Sequence, residues 1–163
     1  MTARTLSSAA ALALLAWGPA TLAADSGKVD IEVITIAASG RGGEPNYDKR
    51  IPENVRKLLK KTHLAYAEYR LVRKERKPTP FEEKVSFELP TKWTLEVTPS
   101  ATSSRTLPVR LLVRFLDEKK KRQLDSRLRR RYDVPFLLHH PEGSVHLVLA
   151  VSVYKPKEFR SRD

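Results

Sequence analysis

The chain has 163 residues, with 31 Lys and Arg against 19 Asp and Glu, a formal net charge of +12, and no cysteine. The length suits one domain, and a hydrophobic share of 40% supports a packed core rather than a disordered polycation. Composition thereby excludes a multidomain enzyme, a polytopic membrane protein, a disulfide scaffold, thiolate catalysis and a Cys-ligated metal.

Residues 1–24 begin with Arg4 as a positive region, followed by an apolar stretch from Leu6 to Trp17. The breakers Gly18 and Pro19 come next, then the small residues Ala20, Thr21, Ala23 and Ala24. That order is the pattern of a secretory signal peptide. Signal peptidase needs small side chains one and three residues before its cut, so Ala23 and Thr21 place cleavage before Ala24 and the signal at 1–23. An uncleaved anchor fits less well, because the apolar run is short for a hydrocarbon core of ~30 Å and carries helix breakers. The absence of Cys after the apolar run excludes a lipoprotein anchor. The expected location is exported, periplasmic or extracellular, where the basic run Lys119–Arg122 has no meaning as a nuclear address.

Val29 to Val33 alternates apolar and polar residues and continues into Ile34-Thr35-Ile36, which predicts a strand buried on both faces in its second half. Ser39 to Pro45 reads as a Gly-rich loop. Tyr47, Ile51, Val55, Leu58, Leu59 and Thr62 then recur at helical spacing opposite Lys and Arg. Pro52 suits a first turn, so an amphipathic helix is predicted from Pro52 to Lys61. Leu64 to Lys77 carries both periods, but Ala65, Ala67, Tyr69 and Leu71 alternate, and a basic helix there would lack a core face. A strand is favoured.

The punctuation is regular from that point. Val85, Phe87 and Leu89, a turn at Pro90-Thr91-Lys92, and Trp93, Leu95 and Val97 predict a hairpin. After a polar connection at Pro99 to Ser104, Leu107, Val109, Leu111, Val113 and Phe115 are strictly period-two, with Arg110 and Arg114 on the other face. Asp117 to Lys121 turns the chain; Leu124, Ser126 and Leu128 then alternate with Asp125, Arg127, Arg129 and Arg131. His139 to Gly143 reads as a turn before a last strand, Val145 to Val153. The expected fold class is α+β, mainly antiparallel β, as a β-sandwich or meander-like sheet with one early amphipathic helix. Its order is β-α-β-β-β-β-β-β. Residues 24–155 form the single β-rich domain, and 156–163 a frayed tail.

Catalytic signatures are weak. The loop Ser39-Gly40-Arg41-Gly42-Gly43 sits between strand and helix but matches neither phosphate-loop pattern, and Glu44 and Asp48 add negative charge where a phosphate would lie. His139, His140 and His146 flank a turn, so two of them can face each other across a hairpin. Adjacent His139 and His140 must point to opposite faces of a strand, and a catalytic zinc needs three ligands; Glu142 is the one acid beside them. Neither a nucleophile elbow nor a zincin motif is present. Neither catalysis nor a cofactor is expected.

Two basic segments dominate. Lys49 to Lys77 holds eleven Lys and Arg against three Glu, including Lys57, Lys60 and Lys61 on the predicted helix. Lys119 to Arg131 holds eight against one Asp: Lys119, Lys120, Lys121, Arg122, Arg127, Arg129, Arg130 and Arg131. In a strand, Arg127, Arg129 and Arg131 project from one face at intervals of roughly 7 Å. Arg110 and Arg114 extend that row if the pairing register allows. Guanidinium forks grip phosphate, sulfate and carboxylate bidentately, whereas a solvated face needs Lys and Arg only for solubility. The expected function is a non-enzymatic binding or assembly module. It would dock on an anionic envelope polymer or an acidic partner protein, with peripheral contact to an anionic membrane surface compatible with the same charge. Nucleic acid is disfavoured, because stacking aromatics are few. The rival expectation is a structural subunit of an envelope complex joined through strand edges.

Overall fold

The computed structural model describes residues 27–62, 64–104, 107–140 and 146–155; the predicted leader and tail lie outside them. In chain order the elements are β1 (Lys28–Ser39), β2 (Asn46–Tyr47), α1 (Glu53–Lys61), β3 (Glu68–Pro80) and β4 (Val85–Glu88). They continue with β5 (Thr94–Ala101), β6 (Val109–Leu116), β7 (Arg122–Arg130), β8 (Phe136–His140) and β9 (His146–Tyr154). Among the described residues the fold is mostly antiparallel β with one short helix. A five-stranded sheet has the order β2-β3-β1-β9-β8, and a four-stranded sheet the order β4-β5-β6-β7. Among the described residues, no helix is long and apolar enough to cross a membrane.

Side chains of a strand alternate between faces, and β1 uses both of its faces. Val29, Ile31 and Val33 join Leu149, Val151 and Val153 of β9 in a buried cluster shared with Phe87, Leu95, Val97, Leu111 and Val113 of the four-stranded sheet. Ile34, Ile36 and Ala38 point the other way and meet Val55 and Leu59 of α1, with Val148 and Ala150 of β9. Thus α1 and the four-stranded sheet lie against opposite faces of the five-stranded sheet. Where α1 no longer covers β1, that face turns polar and each acid finds a cation. Arg76 pairs with Asp30 at 2.7 Å, Lys74 with Glu32 at 3.2 Å, and the Tyr154 hydroxyl donates to Glu32 Oε1 at 3.1 Å.

The strand expected over 64–77 is met by β3, which begins only at Glu68 and runs on to Pro80. Several expectations need correction. The five-stranded sheet is mixed, because β2 pairs parallel to β3. Tyr47, assigned to the helical stripe, lies in β2 and stacks on Tyr69 at 4.9 Å between ring centroids. The backbone turns at Asp48, whose carboxylate accepts hydrogen bonds from the Arg50 and Leu71 amides, and the helix expected from Pro52 to Lys61 follows as Glu53–Lys61 with Pro52 at its N-cap. His139 and His140 belong to strand β8 rather than to a turn. That strand escaped notice because Phe136 is buried on the shared core while Leu137 packs on the helix side, so both faces are apolar and no alternation appears.

Candidate anion-binding face

Pairing of β6 with β7 fixes which cations stand together. Arg110 is directly opposite Arg129, Leu112 opposite Arg127, and Arg114 opposite Asp125. Their neighbours Val109, Leu111, Val113 and Phe115 are buried in the shared core, so the arginines occupy the outer face of the sheet. Arg110, Arg127 and Arg129 are exposed and, with Leu128, line a cleft of about 280 Å³. Among the described residues none of these three arginines has an ion-pair partner. Like charges directly opposite on a sheet repel, and a guanidinium cannot shed its proton to escape. An anion seated between them removes that repulsion. Sequence spacing suggested the row, and the register supplies the pairing that spacing could not.

The remaining predicted cations have other engagements. Arg114 and Arg122 share Asp125, at 3.3 and 3.2 Å. Lys120, at a left-handed turn position (φ 59°), donates its ammonium to Thr94 Oγ1 at 2.8 Å. Lys119 and Lys121 anchor the same turn through backbone amides donated to Asp117 Oδ1, leaving their side chains exposed. Arg131 falls outside the row, because β7 ends at Arg130, whose guanidinium lies 4.6 Å from the centre of the Phe136 ring. On α1, Lys57 pairs with Glu53 at 2.8 Å and Lys60 sits 5.5 Å over the Tyr47 ring; Lys57 and Lys61 border a separate cleft with Asn54 and Val134. Because α1 covers the far face of the five-stranded sheet, the helix cations do not join the arginine row.

The histidines form a second cluster. Tyr66 OH and His139 Nε2 are hydrogen-bonded at 2.8 Å, and the His139 and His146 rings stack at 5.5 Å. His140 points to the opposite face, against Trp93 at 4.0 Å and Phe115 at 5.5 Å, as strand alternation requires. Burial, reinforced by His146 and His140, pushes the His139 pKa below its ordinary value. Among the described residues no group of three His, Asp or Glu is placed to hold a metal ion, and Glu142 lies outside them. The Gly-rich loop leads into β2 and not into a helix N-terminus. Its positive φ angles at Gly40, Gly42 and Gly43 serve a tight reversal, and a Cβ at Gly40 would meet Ala67 Cβ at 3.0 Å.

Comparison with protein-family models, curated proteins and solved structures finds no match to this chain.

Proposed function

We propose that this chain is an exported, non-enzymatic binding module that docks on an anionic partner through the outer face of β6 and β7. A leader cleaved before Ala24 and a β-sandwich formed by the two sheets belong to the same reading. One observation carries it: Arg110 stands directly across from Arg129, with Arg127 beside them and no carboxylate paired to any of the three among the described residues. Repeated carboxylate, phosphate or sulfate groups complement such a row, each guanidinium offering a planar fork of donors. An anionic envelope polymer and an acidic protein surface both present that chemistry. The helix cations Lys57, Lys60 and Lys61 play no part in this contact.

Titration of the purified mature chain with polyaspartate tests the reading. Affinity is expected to fall steadily as salt rises, because exposed charges are screened. Replacing Arg110, Arg127 and Arg129 together by Ala should weaken binding about tenfold or more, while the Lys57, Lys60 and Lys61 to Ala triple variant keeps it. Binding that ignores salt, or that survives loss of the three arginines, overturns the proposal.

A further inference from the structure

The strand that carries Arg127 and Arg129 is also the last strand of its sheet. Among the described residues no strand pairs with the outer edge of β7, which runs nine residues from Arg122 to Arg130. In an antiparallel pair half of each strand's N–H and C=O groups aim away from the partner, so this edge presents a row of donors and acceptors to an incoming strand. Its two faces differ in chemistry. On the core side stand Leu124, which is 43% exposed, Ser126 and the half-buried Leu128, opposite Phe115, Val113 and Leu111. On the outer side stand Arg127 and Arg129, with Asp125 already shared by Arg114 and Arg122.

We infer that β7 accepts an acidic extended segment of a partner protein as a fifth strand. The inference rests on the anion-binding reading above and assigns that site its partner class. A strand added to β7 alternates in step with it, because a slip by one residue would exchange its faces. Its inward side chains must be apolar, to cover Leu124 and Leu128. Its outward side chains must be acidic where they meet Arg127 and Arg129. An alternating apolar and acidic sequence is therefore the recognised pattern. A second copy of β7 is a poorer occupant: in the register centred on Ser126 its one acid, Asp125, meets Arg127 but is already shared by Arg114 and Arg122, and Arg129 faces only Gln123. The chain's own tail is no better, with Lys157, Arg160 and Arg162 against Glu158 and Asp163.

The test uses a fluorescent nine-residue peptide of alternating Val and Glu, matched to the length of β7, with a Val and Lys peptide as its control. Two further versions are N-methylated, one on every Val and the other on every Glu. Neighbouring amides of a strand point to opposite edges, so only one methylated version blocks pairing. Support consists of salt-sensitive binding of the Val/Glu peptide but not the control, and loss of about tenfold or more with one methylated version only. Amide hydrogen exchange should also slow across residues 122–130, and replacement of Arg127 and Arg129 by Ala should weaken the contact. Equal binding of both methylated versions with unchanged exchange in β7, while polyaspartate still competes, overturns strand addition and leaves the docking face standing. Binding of phosphatidylglycerol vesicles without the peptide overturns it too. Failure of peptide and polyaspartate alike removes both readings.

Discussion

Lys92 holds φ at 63° in the turn between β4 and β5, where its amide donates to the Leu89 carbonyl and the Leu89 amide donates to the Trp93 carbonyl. An L-residue in the left-handed region crowds its Cβ against the following carbonyl oxygen, a cost that glycine avoids. The Lys92 side chain is exposed, so little is lost by removing it. Lys92→Gly is expected to raise stability by about 0.5 kcal/mol, the relief being partly offset by the freer unfolded chain, as read from urea denaturation. The His139 pKa is lowered chiefly by burial, so the folded state disfavours its protonation. Stability is therefore expected to be full above the unfolded value near 6.5 and to fall as pH drops from there through the depressed value. His139→Asn, which keeps a polar group beside Tyr66, should flatten that slope in urea midpoints taken on either side of pH 6.5.

At the scale of single elements, α1 is attached by few contacts. Val55 and Leu59 are its buried residues, and Ile51 precedes it on the same apolar patch. Leu59→Ala is expected to cost about 2–5 kcal/mol, measured as loss of stability in urea, because the cavity opens between helix and sheet. The same change should leave polyaspartate binding by the folded protein intact, since α1 and the arginine face lie on opposite sides of the five-stranded sheet. Legibility also varied by element. The alternation read from Leu107 to Phe115 found β6, which starts two residues later at Val109 and ends at Leu116, and the burial of β1 on both faces could be read where its alternation gives way to Val33-Ile34-Thr35-Ile36. Strand β2 was illegible because its two residues exist as a strand only through pairing with Glu68 and Tyr69. The Tyr47 ring at helical spacing from Ile51 argued for a different element, and stacking on Tyr69 decided the matter.

Across the whole molecule, most of the positive charge is committed locally. Arg76 and Lys74 neutralise acids of β1, Lys77 donates to the Ser86 carbonyl at 2.7 Å, and Lys84 holds Glu96 at 2.7 Å. These contacts join strands and sheets, whereas Arg110, Arg127 and Arg129 stand together on one face with no ion-pair partner among the described residues. A net charge of +12 would suggest a diffuse polycation; the β6–β7 register instead brings Arg110, Arg127 and Arg129 together, and the docking proposed above is confined to that strand pair. The sequence by itself determined the strands that alternate strongly, the apolar stripe of the helix and the presence of two basic segments, since each depends on side chains a few residues apart. Only the tertiary structure decided that Arg110 faces Arg129, that Arg131 leaves the row, and that the helix cations lie on the far side. Those outcomes depend on cross-strand register and on which face each element buries, and both are set by contacts between residues distant along the chain.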